Sequence, residues 1–145
     1  MVVSGHAGSV ERAIEIAKSK GAKRAMLLPV SAPFHCRLMQ PAADAMAEAL
    51  SQTALRAPLV PVYANVTAAP ASGPDEIRDL LVRQVTGTVR WRESIVFMAN
   101  AGVTRFYEVG AGKVLSGLVK RIAEGASGVS IGTPDDVAAF KTSRS

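Results

Sequence analysis

The sequence predicts an α/β fold with a mainly parallel sheet. Short apolar runs alternate with amphipathic stretches of about 10 to 15 residues, the pattern of strands joined by crossover helices. Glycines punctuate those stretches, at Gly21, Gly102 and Gly110 to Gly112. The apolar content is high at 48% while aromatics are only 5%, so Val, Leu, Ile, Ala and Met must build the core. At 145 residues the chain is long enough to bury one.

In chain order, Met1 to Ser4 reads as a short strand and Gly5 to Ser9 as a turn. Ser9 is placed to cap a helix from about Val10 to Lys20, in which Val10, Ala13, Ile14 and Ala17 share one face. Gly21 closes it, and Lys23 to Leu28 is the next strand, completing a β-α-β unit. A proline-marked loop, Pro29 to Pro33, breaks the chain before a second helix from about Met39 to Thr53. Pro41 suits its first turn, where the missing N–H costs little. Leu59 to Tyr63 is an apolar strand that Pro61 demotes to an edge or irregular one. Thr67 to Pro74 reads as a loop, Asp75 to Thr86 and Glu93 to Ala101 as helices, and Thr104 to Val109 as a strand. A helix from Lys113 to Glu124, a strand from Val129 to Ile131 and a short helix from Pro134 to Phe140 complete the order.

Composition narrows the function classes. The basic excess, 17 Lys and Arg against 12 Asp and Glu, is dispersed and not interleaved with aromatics, so no nucleic-acid partner is expected. A local basic patch would still suit a phosphate-bearing small substrate or an acidic carrier. The single cysteine, Cys36, has no internal partner for a disulfide, which fits a reducing compartment. The first residues lack a signal-peptide pattern, and no window approaches roughly eighteen apolar residues. A cytoplasmic protein with no membrane partner is the expectation.

His35 is the first candidate site residue. It stands in a proline-preset loop at the end of an apolar run, where a rigid element can hold a proton-transfer group open to substrate. The alternative is a surface histidine serving as a hydrogen-bonding residue. His6 and Cys36 share no metal-ligand spacing with it, so no metal and no cofactor is expected. Gly110-Ala111-Gly112-Lys113 lies at a strand-to-helix junction and could receive an anion, or simply form a tight turn. It satisfies neither the P-loop spacing nor the dinucleotide fingerprint. Gln84 and Asn65 are polar residues beside apolar segments, readable as orienters of a buried loop or as ordinary helix-end and turn residues.

Four stretches together resemble a known family. They are Val3-Ser4-Gly5-His6; Gly21-Ala22-Lys23-Arg24 running on through Pro29-Val30-Ser31-Ala32-Pro33-Phe34-His35-Cys36; Ile77 through Gln84; and Tyr107-Glu108-Val109-Gly110-Ala111-Gly112-Lys113-Val114-Leu115. In order and spacing, over about residues 2 to 140, they resemble the C-terminal half of the malonyl-CoA:acyl carrier protein transacylases. The resemblance implies the C-terminal part of an α/β-hydrolase-like acyltransferase domain plus a partial ferredoxin-like small domain. Residues 1–30 would belong to the small subdomain and 31–145 to the large one.

The resemblance also implies roles. His35 would be the catalytic histidine of a Ser-His pair, and Gln84 would orient its imidazole in place of a triad carboxylate. Lys23 and Arg24 would face coenzyme phosphates or the acidic carrier, and Asn65 would lie near the histidine on the substrate side. The activity implied is malonyl transfer from coenzyme A to the carrier's phosphopantetheine thiol in fatty acid synthesis. The coenzyme A thioester enters as substrate. The family's nucleophile elbow, Gly-His-Ser-x-Gly, is missing: the one glycine–histidine pair here, Gly5-His6-Ala7-Gly8, has alanine after histidine and is a different family motif. Neither the elbow serine nor the carboxylate-gripping arginine is in this sequence. Expected partners are therefore malonyl-CoA, acyl carrier protein, and an N-terminal-half polypeptide or another copy of the chain. A non-catalytic carrier- or partner-binding α/β module is the alternative.

Overall fold

A computed structural model of the chain describes residues 1–143 and has a mixed α/β architecture. It divides into two compact units, Met1–Arg90 and a second beginning at Trp91.

In the first unit, helix α1 (Ala7–Ser19) forms as the apolar spacing requires. Val10, Ala13, Ile14 and Ala17 are its half-buried positions, although its N-cap is His6, three residues before the expected cap Ser9. The flanking strands do not form: neither Met1 to Ser4 nor Lys23 to Leu28 is paired. A strand needs a neighbour to receive its N–H and C=O groups, and among the described residues neither segment is part of a sheet. The β-α-β unit is thus reduced to its helix and extended flanks.

A short 3-10 turn (Arg37–Met39) leads into helix α2 (Gln40–Ser51), with Pro41 in its first turn. Strand β1 (Val62–Ala64) and strand β2 (Ala69–Ala71) form an antiparallel hairpin, Tyr63 opposite Pro70. Strand β2 falls where a loop is expected. Pro70 argues against a strand in isolation, yet in a two-stranded hairpin one face of each strand is an edge and proline is tolerated there. The turn uses Ala68 at φ 56°, a left-handed conformation uncommon for a residue with a Cβ. Helix α3 (Pro74–Thr86) packs on α2 and buries Leu80. Arg78 ties the two helices: its Nε and Nη2 donate to the carbonyls of Leu50 and Thr53 at the end of α2, at 3.0 and 3.1 Å. The Leu50 carbonyl also accepts the Thr53 N–H at 3.2 Å, so Arg78 reinforces a turn that already closes α2.

The second unit is a small parallel layer. Helix α4 (Trp91–Asn100) precedes strand β3 (Arg105–Val109), then helix α5 (Val114–Ile122), strand β4 (Ser127–Ile131) and helix α6 (Pro134–Thr142). Strands β3 and β4 pair in parallel, with Tyr107 opposite Val129. Ile95, Val119 and Ala123 form the buried cluster, with Trp91, Met98 and Phe106 packed around it. Gly128 lets β4 approach α5 closely: a Cβ there would stand 2.7 Å from the Ser116 Cα. A capping box, Thr133 with Asp136, starts α6. The described residues hold one antiparallel and one parallel pair of strands, not the single mainly parallel sheet expected from the alternation. No helix among them is long and apolar enough to cross a membrane.

Candidate functional site

The extended segment from Lys23 ends in a knot of local contacts. The Phe34 N–H donates to the Ala32 carbonyl at 2.9 Å, and the Cys36 thiol to the Pro33 carbonyl at 3.1 Å. Between them His35 takes a left-handed backbone, φ 61°. A histidine with positive φ is uncommon, and such residues concentrate at functional sites where surrounding structure holds them. This conformation turns the imidazole toward the end of α3.

There, His35 Nδ1 lies 3.0 Å from the main-chain carbonyl oxygen of Gln84. A carbonyl only accepts, so Nδ1 carries the proton in this contact. The neutral ring then leaves its lone pair on Nε2, free for a proton from elsewhere. The Gln84 carbonyl is available because α3 ends two residues later, so no main-chain N–H follows to claim it. Gln84 is half-buried, and its side-chain amide donates to the Gly87 carbonyl at 3.0 Å. The pairing of two residues 49 apart in sequence is therefore made by the Gln84 main chain.

Asn65 lies in the hairpin turn, half-buried, and its carbonyl accepts the Arg90 main-chain N–H at 3.0 Å. Lys23 and Arg24 are exposed at the start of the extended segment, where the Arg24 Nε lies 3.2 Å from the Met26 Sδ. Neither cation is joined to His35 or Gln84 by a hydrogen bond or ion pair.

The loop Gly110 to Lys113 resolves differently from an anion site. Two of the free N–H groups at the start of α5 are already taken by Glu108, whose carboxylate accepts from Leu115 and Ser116 at 3.2 and 2.8 Å. These contacts, the Ser116 main chain foremost, hold the Glu108 carboxyl below its usual range. Glu108 was not singled out from the sequence; a glutamate two residues before a glycine-rich turn into a helix was the available signal. Among the described residues, no group of three or more His, Cys, Asp or Glu could hold a metal ion.

Comparison with known proteins finds relatives of the chain in sequence and in fold. No family model matches the chain. It is 48% identical over 139 residues to the malonyl CoA-acyl carrier protein transacylase of Escherichia coli K12, covering 96% of this chain and 45% of the relative. The crystal structure of an acyl-carrier-protein S-malonyltransferase from Bartonella henselae superposes with a TM-score of 0.89 at 51% identity, over 96% of this chain and 44% of that one. A malonyl-transacylase in complex with its type II PKS acyl-carrier protein gives a TM-score of 0.87 at 40% identity, over 95% of this chain and 45% of that one. The chain thus matches the malonyl-CoA:acyl carrier protein transacylase family along nearly its whole length, and spans about 45% of the length of these relatives.

Proposed function

We propose that this chain, matching the malonyl-CoA:acyl carrier protein transacylases, carries the histidine half of such an enzyme. The enzyme moves a malonyl group from coenzyme A to the phosphopantetheine thiol of acyl carrier protein, in cytoplasmic fatty acid synthesis. The observation that carries the reading is the 3.0 Å contact between His35 Nδ1 and the Gln84 carbonyl. It leaves Nε2 as the basic atom of a ring whose orientation the end of a helix supports, which is what a general acid–base requires.

In this reading the nucleophile is a serine contributed by the part of the relatives' length that this chain does not span. As its oxygen adds to the malonyl thioester carbonyl, the serine proton passes to His35 Nε2. The tetrahedral intermediate collapses by C–S cleavage, and the departing coenzyme thiolate takes the proton back from Nε2. The carrier thiol then gives its proton to Nε2 as its sulfur attacks the acyl ester. Cleavage of the C–O bond returns the serine, which is reprotonated from the imidazolium. The Gln84 carbonyl stabilises the imidazolium in both halves of the cycle. Lys23 and Arg24 attract the phosphates of coenzyme A or the acidic carrier, and Asn65 supports the substrate side. Residues 1–30 are assigned to a partial ferredoxin-like subdomain and 31–145 to the C-terminal part of an α/β-hydrolase-like domain.

Two measurements test this. The chain alone, incubated with malonyl-CoA, is expected to show no stable malonyl ester by intact mass spectrometry; an ester formed at a turnover-competent rate refutes the assignment of the nucleophile. With the complementary segment of a relative supplied in trans, His35→Ala is expected to lower transfer by roughly 10²–10⁴-fold. An unchanged rate removes His35 from the chemistry and leaves a non-catalytic carrier-binding module.

A further inference from the structure

We infer that Gly87 is a positioning residue for His35: its lack of a Cβ sets the direction of the Gln84 carbonyl. The inference rests on the acid–base reading of His35 given above and extends it to a residue that touches neither substrate nor imidazole.

Gly87 is the residue at which α3 stops. Its N–H still donates to the Arg83 carbonyl at 2.9 Å, as a helical residue would, but its backbone is already extended, φ −88° and ψ 151°. The chain therefore leaves the helix before the next N–H, that of Thr88, can reach the Gln84 carbonyl. That departure is what leaves the carbonyl to His35.

The space around Gly87 is closed on two sides. A Cβ would stand 2.8 Å from the Arg83 carbonyl oxygen and 2.8 Å from the Val66 Cγ2. The first of these is main chain in the peptide group just before Gln84. The second belongs to the hairpin turn, and that turn is tied to the segment after Gly87: the Arg90 N–H donates to the Asn65 carbonyl at 3.0 Å, and its guanidinium to the Thr67 carbonyl at 2.9 Å. The glycine is thus gripped between the last turn of α3 and the hairpin, and a methyl group there must displace the Arg83 carbonyl, the Val66 side chain or both. The Gln84 side chain closes the loop by donating to the Gly87 carbonyl at 3.0 Å. Anything that moves Gly87 pulls on both the main chain and the side chain of Gln84.

The test reads the tautomer of His35 by ¹⁵N NMR. The 145-residue chain is labelled on histidine and carries His6→Gln, so that one imidazole remains. Spectra are taken in solution or, if the chain associates, on the sedimented protein by magic-angle spinning. The parent is expected to show Nδ1 protonated and Nε2 bare. In Gly87→Ala, with the fold checked by circular dichroism, the Nδ1-protonated signature is expected to be lost in favour of a mixture of tautomers. Gln84→Ala keeps the carbonyl and removes only its amide anchor, so it is expected to give a smaller shift in the same direction. If Gly87→Ala does not fold, Gln84→Ala decides. A parent without Nδ1 protonation refutes the His35–Gln84 reading itself. A correctly protonated parent whose tautomer is unchanged in the folded variants refutes the role of Gly87 and leaves that reading intact.

Discussion

The carboxylate of Glu108, on strand β3, holds the main-chain N–H of Ser116 at 2.8 Å across the glycine-rich turn and so caps helix α5 from outside it. Because these bonds favour the charged form, its carboxyl in the folded state titrates below the ordinary value of 4.5. The sign follows by linkage: the stabilising contribution is fully present above the unfolded value and is lost as pH falls through the lower, folded one. Hydrogen-exchange protection of the Leu115 and Ser116 amides should therefore fall in acid earlier than that of amides in the middle of α5. In Glu108→Gln that acid-dependent loss should disappear. Equal acid dependence in parent and variant would show that Glu108 does not cap the helix.

The apolar centre of the second unit is small. Ile95 and Val119 are its most deeply buried side chains, at 0% and 1% exposure. With few neighbours to collapse into the space, Ile95→Ala should cost about 2–5 kcal/mol of the unit's stability. Chemical denaturation followed by Trp91 fluorescence would measure it, since Trp91 packs against the same cluster. A change below roughly 1 kcal/mol would mean that the site relaxes to fill the cavity.

Helices were legible because their signals are local. Proline in the first turn of α2, α3 and α6 and apolar residues repeating at helical spacing are contained within each segment. Strands were less so, because a strand exists by virtue of its neighbour. Ala69–Ala71 pairs despite Pro70, while the more apolar Ala25 to Leu28 stays unpaired. At the site, His35 and Gln84 were both nameable, yet no periodicity relates residues 49 apart; a family resemblance supplied that link. What it could not supply is which atoms of Gln84 face the histidine. The part played by Gly87 was hidden for the same reason. A glycine after a helix announces a stop, but only the packing of Val66 and the Arg83 carbonyl shows that this stop is sterically required.

Lys23 and Arg24 are exposed cations at the head of the extended segment that runs to His35. Neither forms a hydrogen bond or ion pair with His35 or Gln84. Their expected contribution is long-range attraction of an anionic substrate, which acts on encounter and binding and not on the chemical step. In the enzyme completed in trans, the double variant Lys23→Ala, Arg24→Ala should raise KM for coenzyme or carrier substrate with a smaller effect on kcat. The difference should shrink as salt is added, since exposed charges are screened beyond about 8–10 Å at ordinary ionic strength. Equal KM values at low salt would return both residues to the ordinary solvated surface.

The same segment exposes a run of apolar side chains. Met26, Leu27, Leu28 and Val30 are each 50–61% exposed on an extended backbone whose polar groups have no strand beside them. Apolar surface of this kind favours burial, and unpaired extended backbone favours capture by another strand; both drives act on one stretch of chain. The chain on its own should therefore associate, either with further copies or with the complementary segment of the enzyme. Light scattering at roughly tens of micromolar should report a mass above that of the monomer, and charged replacements, Leu27→Lys with Val30→Lys, should lower it. Addition of the complementary segment should compete with self-association if both use this stretch. A cooperatively folded monomer, unchanged by the lysine replacements, would mean that the segment's exposure carries no drive to associate.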